Sequence, residues 1–533
     1  MTSRLSWALA LVLGLVALIP FVAHCAIYLG YPFSLDETEG YLLGKVDWLE
    51  RGGRLYMPLR DGPGPYLVDN YPPAFPVTLS VLEQLAGPKR TIPPIAADPS
   101  VGPQDERSVG VKGATLYHDF RVLRGFVAVL GLGLLGALIW SWRRGGVPWA
   151  LVGAATVMLI AQPPVFFMMP LARADWGALC CGMIALVLAN ESLKEDSKGA
   201  SGLWWAIGWG VLALSFRQSA LAPLVAIGLT LFLKKDKRAV KWSLSAMIGI
   251  AALAVALTAV YGPEIWTHLV VYTRTRFLLT RLAATWGFFL EFSSLYLLLA
   301  GLAWWWVKQA KGFVLPVVYA PLASATALLA GKVGSDMNYF LEALIGGAWM
   351  LGFGMSLIRA KKSGDDAPGS LGSDSPAWTA VAVCLVLLQG AVLQNPRAGS
   401  YRPDRFDLAN GVQLLLLLQR TPEGPVVSEE EGIVALAGRP VWLNPFIVSE
   451  LAREGLWNES GLVSELRQGT VRMVIAQQST MAGGEDRGSG AGWDRFTPAM
   501  QRAITEHYRV AAEVPFRRDW LVWVPTEDEK PAQ

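Results

Sequence analysis

Long apolar runs separated by short polar or basic stretches dominate this chain. At about 20 apolar residues per membrane-spanning helix, the runs predict spans at 7–29, 122–142, 148–168, 174–190, 203–233, 241–261, 284–307, 313–331, 339–358 and 377–394. The run 72–87 is shorter and either spans or re-enters. The run 203–233 is too long for one helix and is interrupted by Arg217 and Gln218, so two short helices meeting at a polar break are expected. The pattern predicts a polytopic α-helical membrane protein of about 10–13 transmembrane helices. Residues 396–533 differ. Short β-like runs (424-GPVVS-428, 471-VRMVIA-476, 520-WLVWVP-525) alternate there with helical patterns at 447–455 and 498–508. That alternation predicts a small C-terminal α/β domain. The expected division is therefore a membrane domain over 1–395, with a first external loop at 30–71, and an extracytoplasmic domain over 396–533.

Composition narrows the class further. Of 533 residues, 53% are hydrophobic and only 17% charged, against about 25% charged in soluble chains. This excludes a disordered chain, a nucleic-acid-binding module and an ordinary cytosolic enzyme. The net charge of +3 says little, but its placement says more. Basic clusters at 234-KKDKRAVK-241 and 359-RAKK-362 mark those loops as cytoplasmic by the positive-inside rule. Loops 262–283 and 332–338 and everything after 395 then face outside. The first run exceeds a signal-peptide h-region and has no small-residue cleavage site after it, so it is expected to stay as an anchor. Cys25, Cys180, Cys181 and Cys384 lie in apolar stretches and are expected as small buried hydrophobes. The four histidines are scattered, which argues against a His-rich metal site.

Ionisable residues beside membrane spans are costly and usually carry a partner or a function. Asp36, Glu37 and Glu39 place three carboxylates within four residues after the first span. They suit a general base or a shared divalent cation; equally, Asp36 and Glu39 fit a helix cap. Arg173 and Asp175 open a long apolar helix. Arg217 needs an anion in its polar break: a lipid phosphate, or an internal ion pair with Asp175. The stretches 272-YTRTRF-277 and 331-GKVGSDMNYFLEA-343 add Arg274, Arg276, Lys332, Asp336, Asn338, Tyr339 and Glu342 at the outer face. Glu429, Glu430 and Glu431 are expected to form a solvated acidic surface, and the C-terminal domain shows no catalytic constellation.

In their order along residues 5–345, these stretches resemble the GT-C superfamily of membrane glycosyltransferases, near bacterial glycosyltransferase family 39-like proteins akin to protein O-mannosyltransferases and the lipid A aminoarabinose transferase. The carriers are the Asp36–Glu37 pair after the first span, 70-NYPPAFPVTLSVLEQLAG-87, 173-RAD-175, 217-RQSALAP-223, RTRF and 338-NYFLE-342. Arg217 stands where the family pattern has Lys. Asn70 and Tyr71 replace an acid–base pair before Pro-Pro, which argues against the aminoarabinose substrate. The resemblance implies transfer of a sugar from a polyprenyl-phosphate donor to an acceptor hydroxyl (protein, lipid or polysaccharide) at the outer face of a bacterial inner membrane. It implies catalytic roles for Asp36, Glu37 and Asp175, and donor phosphate or lipid contacts from Arg217, Arg276, Tyr71, Tyr339 and Asn338. A divalent cation, Mg or Mn, held by Asp36 and Asp175 stays open, and neither an organic cofactor nor nucleic acid is expected. The alternative is a transporter or flippase for a lipid-linked saccharide, which also needs cations for phosphate but usually shows matched broken helices in two halves.

Overall fold

The computed structural model describes residues 2–87, 90–94, 112–194, 201–310, 312–360, 386, 389, 402–481, 495–516 and 518–526. The expected span 377–394 lies outside these except for Val386 and Gln389, and Cys384 lies outside them as well.

Helix α1 (Thr2–Gly30) leads into α2 (Glu37–Glu50) and α3 (Ala74–Ala86). A two-stranded antiparallel ribbon of β1 (Arg90–Ile92) and β2 (Ala114–Leu116) precedes α4 (Phe120–Arg144). The expected span 148–168 divides at Gln162-Pro163-Pro164 into α5 (Trp149–Ile160) and α6 (Pro163–Met168), because proline removes backbone donors and starts a new helix. Then come α7 (Asp175–Ser192), α8 (Ser201–Phe216) and α9 (Ala222–Leu233). The run 203–233 is thus two short helices broken at Arg217–Leu221, as its polar interruption predicts. Helices α10 (Ala239–Tyr261), α11 (Glu264–Trp266), α12 (Leu279–Gln309), α13 (Val314–Thr326) and α14 (Leu341–Ala360) complete the bundle.

Among the described residues, five helical stretches are long and apolar enough to cross a membrane on their own: Phe120–Arg144, Ala239–Tyr261, Leu279–Gln309, Val314–Gly331 and Met337–Leu357. Shorter apolar helices, including Trp149–Ile160, Ser201–Phe216 and Ala222–Leu233, account for most of the remaining expected spans. Outward-facing Val129, Leu132, Trp205, Ile248, Val255, Val260 and Leu298 are exposed, as lipid contact requires. Inside, Trp142 of α4 donates to the Trp349 carbonyl (3.2 Å) and Trp349 of α14 donates to Ser141 (2.8 Å), so two buried indoles find partners in each other's helices.

The C-terminal region carries a four-stranded sheet of β3 (Val426–Ser428), β4 (Met473–Gln477), β5 (Tyr508–Phe516) and β6 (Arg518–Pro525), ordered β3-β4-β6-β5. Only β3–β4 is parallel. Three of these strands fall on the β-like runs, and helices Pro445–Arg453 and Pro498–His507 fall on the helical patterns. Strand β5 was not evident: 508-YRVAAEVPF-516 has no strict alternation, and its register shifts between Val510 and Ala512.

This domain docks on α2. Helix 431–436 approaches so closely that a Cβ on Gly40 would lie 2.7 Å from the Gly432 nitrogen. The docking overturns one expectation: Glu429, Glu430 and Glu431 are not a solvated face but are buried to 5%, 7% and 4% exposure. Glu429 accepts hydrogen bonds from Gln477 N (3.1 Å), Gln477 Nε2 (3.0 Å) and Thr480 (3.3 Å). Glu430 meets Ser34, and Glu431 meets Asn444.

Candidate functional site

A cavity of about 290 Å³ opens where the bundle meets the C-terminal domain. Its walls come from the start of α2, the 70–71 turn, Arg173, the 217–219 break, loops 272–275 and 329–339, and residues 444–454 of the C-terminal domain. A smaller space of about 20 Å³ lies behind it, lined by Asp175, Arg217, Asn338, Tyr339, Tyr319 and Glu342, roomy enough for about one water.

Asp36 caps α2. From extended backbone (φ −141°, ψ 146°) one carboxylate oxygen accepts from Thr38 N at 2.8 Å. Its other oxygen meets Arg173 Nη1 at 3.1 Å. The cap reading and the site reading therefore coexist, since a carboxylate offers about four acceptor positions. Glu37 also lines the cavity and pairs with Arg495 of the C-terminal domain. Glu39 does not join them. It turns inward to Arg124 (2.7 and 2.8 Å), both side chains being fully buried, and accepts from Leu35 N and Ala172 N, each at 2.8 Å. The three-carboxylate cluster is thus reduced to two, because Glu39 follows Glu37 by two residues, about 200° of helical rotation, and so points to the opposite face of α2.

Asp175 opens α7 with no exposed surface. It is paired with Arg217, meets Arg173 Nε at 3.4 Å and accepts from Asn338 Nδ2 at 3.0 Å. The guanidinium of Arg217 stacks 4.5 Å from the Tyr339 ring centroid. Of the two anions open to Arg217, the internal pair with Asp175 is present, and Arg217 still lines the cavity. Asn70, Gln218 and Asn338 each leave a buried side-chain oxygen without a protein partner, and all three residues line the cavity. Tyr71 lines it too.

Arg173 stands between Asp36 and Asp175 and bonds to both. A divalent cation shared by these two aspartates does not fit this arrangement, since it would have to displace the guanidinium and the contacts already on Asp175. Arg276 is placed apart. Half-exposed, it meets Glu450 (3.3 Å) and Glu454 (3.5 Å) of the C-terminal domain and is not among the cavity's walls, where Arg274 and Lys332 stand instead. Sequence reasoning missed the contribution of the C-terminal domain: Phe446, Ile447 and Glu450 line the cavity and Arg495 reaches Glu37. No local pattern signals a contact across 458 residues.

No family model matches this chain, and no curated protein matches it. Solved structures do. ArnT from Cupriavidus metallidurans in the apo state is similar with TM-score 0.57 at 12% identity, over 96% of this chain and 97% of that one. The same protein bound to undecaprenyl phosphate is similar with TM-score 0.54 at 14% identity, over the same shares. The chain shares the fold of these ArnT structures, with membrane helices and a small sheet-containing C-terminal domain.

Proposed function

We propose that this membrane protein is a glycosyltransferase that moves a sugar from a polyprenyl-phosphate donor to an acceptor hydroxyl. The observation that carries this reading is the meeting of Asp36, Arg173 and Arg217 around one cavity at the end of the helix bundle. The donor class is supported by the undecaprenyl phosphate bound in one of the similar ArnT structures.

In this reading Arg217 receives the donor phosphate. Asp175 and the Tyr339 ring hold its guanidinium, which keeps donors free for charge that grows on the phosphate as the glycosidic C–O bond breaks. Asp36 takes the proton of the acceptor hydroxyl in a single inverting displacement, and Arg173 keeps its carboxylate aimed. The amide oxygens of Asn338, Asn70 and Gln218 accept from sugar hydroxyls, and Tyr71 lines the same wall. Glu37, tied to Arg495, has a supporting role that links the site to the C-terminal domain. Arg276 is assigned to the domain junction rather than to phosphate.

In this reading the site faces the outer side of a bacterial inner membrane. Helix α9 runs from the Arg217 break to the basic cluster 234–241, about 18 Å at 1.5 Å per residue, which sets the break away from the side that the positive-inside rule marks as cytoplasmic.

The test is transfer from a panel of radiolabelled polyprenyl-phosphate sugars in membranes carrying the wild type or Asp36→Asn. Loss of a general base lowers the rate about 10²–10⁴-fold. Full activity in the variant refutes the assignment. A wild type that leaves every donor intact yet moves the lipid between leaflets is a transporter.

A further inference from the structure

Away from the cavity, three to four turns along α2 from Asp36 and so ~16–21 Å distant, a second polar cluster is buried under the Tyr117–Asp119 loop. His118 (5% exposed) sits between carboxylates: its Nδ1 faces Glu83 Oε1 at 3.1 Å and Glu50 Oε2 at 3.9 Å, and its Nε2 faces Asp47 Oδ1 at 3.0 Å. Asp47 is itself fixed by Arg51 Nε at 2.7 Å. Glu83 is the one charged residue of α3, 6% exposed, and one of its oxygens accepts from Asp119 N at 2.9 Å. The other, Oε2, is buried with no partner. A buried acceptor left unmatched is costly and calls for a ligand.

We propose that Glu50, Glu83 and His118 Nδ1 form a binding site for a divalent transition-metal ion of the zinc class. The ligand atoms lie within 4.8 Å of one another. Two ligands about 2.1 Å from one ion stand at most about 4.2 Å apart, and Glu50, at the solvent edge with 25% side-chain exposure, is free to close that difference and leaves a path for the ion. One imidazole nitrogen with two carboxylates and an open position is a ligand set zinc accepts. Asp47 supplies the outer support such sites have, accepting Nε2–H so that Nδ1 points at the metal. The charges agree: Asp47 is balanced by Arg51, which leaves Glu50 and Glu83 to offset two positive charges.

The site ties the ends of α2 and α3 to the start of α4 directly beneath the C-terminal domain. Tyr117 N donates to the Leu436 carbonyl (3.0 Å) and Arg51 to the Gly438 carbonyl (2.8 Å). The ion would therefore stiffen the platform on which that domain docks, and this inference stands independently of the proposed transfer reaction.

The test uses the full chain purified in detergent, stripped with chelator and titrated with zinc chloride. Bound metal is counted by mass spectrometry, thermal unfolding is followed in parallel, and cobalt is substituted to read visible absorption. The expected result is about one zinc per chain and a rise in Tm with zinc. Glu50→Gln and Glu83→Gln each weaken binding at least about tenfold, Asp47→Asn weakens it about 10–100-fold, and Asp36→Asn leaves it intact. Glu50→Gln, at the solvent edge, is the variant that keeps the fold. No stoichiometric zinc in the wild type, or wild-type binding in Glu50→Gln and Glu83→Gln, overturns the proposal. So does loss of zinc in Asp36→Asn.

Discussion

Replacing Arg217 with Gln separates what the Arg217–Asp175 pair does for the fold from what it does for the reaction. Asp175 has no exposed surface, and without Arg217 it keeps only Arg173 at 3.4 Å and the Asn338 amide at 3.0 Å. Removing one partner of a buried pair costs about 3–5 kcal/mol because a charge is left uncompensated. The surviving Arg173 contact puts the expected loss near the lower end. Loss of a donor aimed at developing negative charge slows a reaction about 10²–10³-fold, or about 2.7–4 kcal/mol of barrier. Arg217→Gln therefore melts earlier and transfers sugar slowly, which alone does not say which effect is primary. The double variant Arg217→Gln/Asp175→Asn does. With both charges gone and amides of similar shape in place, stability returns to within about 1 kcal/mol of wild type, while the donor phosphate still lacks its cation and the rate stays low. Thermal unfolding of the purified protein and initial rates on a lipid-phosphate sugar measure the two quantities side by side. If the double variant recovers activity together with stability, Arg217 serves only to satisfy Asp175 and the phosphate assignment is wrong.

Glu39→Gln breaks a fully buried Arg124 pair whose arginine also donates to the Tyr28, Tyr31 and Phe33 carbonyls; a loss of about 3–5 kcal/mol is expected in unfolding experiments, and an unchanged melting curve contradicts it. Arg276→Ala removes a half-exposed pair with Glu450 and Glu454 worth at most about 1 kcal/mol. Its donor KM is expected to stay within about twofold of wild type, and a tenfold rise would move the phosphate site to this residue. Burial raises the Glu429 pKa from 4.5 to about 7, offset in part by Arg495. A raised acid stabilises the fold fully below pH 4.5 and loses that contribution as pH climbs through about 7. The Tm of the wild type should therefore fall over this window relative to Glu429→Gln, by the equivalent of at most about 3 kcal/mol; parallel pH profiles of the two proteins would exclude the shift.

What was legible in the chain divides along a physical line. Apolar run length and its interruptions are local properties, so the approximate positions of most helices, the two short helices around Arg217 and three of the four strands of the C-terminal sheet could be read directly, although the division of 148–168 at Gln162-Pro163-Pro164 was not. The cost of ionisable groups near lipid is local as well. It singled out Asp36, Glu39, Arg173, Asp175, Arg217 and Arg276 before any geometry; Asp36, Arg173 and Arg217 line the cavity and Asp175 lies just behind it, whereas Glu39 and Arg276 do not line it. Which charge answers which is not local. Arg124 finds Glu39 at a separation of 85 residues, and Arg495 finds Glu37 at 458. Each pairing depends on which helix faces are brought into contact, and composition carries no trace of that. The acidic run at 429–431 makes the same point in reverse. Three consecutive glutamates have the composition of a wetted surface, yet the docking of Gly432 against Gly40 closes them off and brings Ser34 to Glu430, while Gln477 and Asn444 of the same domain meet Glu429 and Glu431. The glycine pair was the available signal, because only side-chain-free positions on both elements permit so close an approach. A charged run beside such a glycine is better read as part of a domain junction than as solvent-facing, and here that junction forms one wall of the cavity.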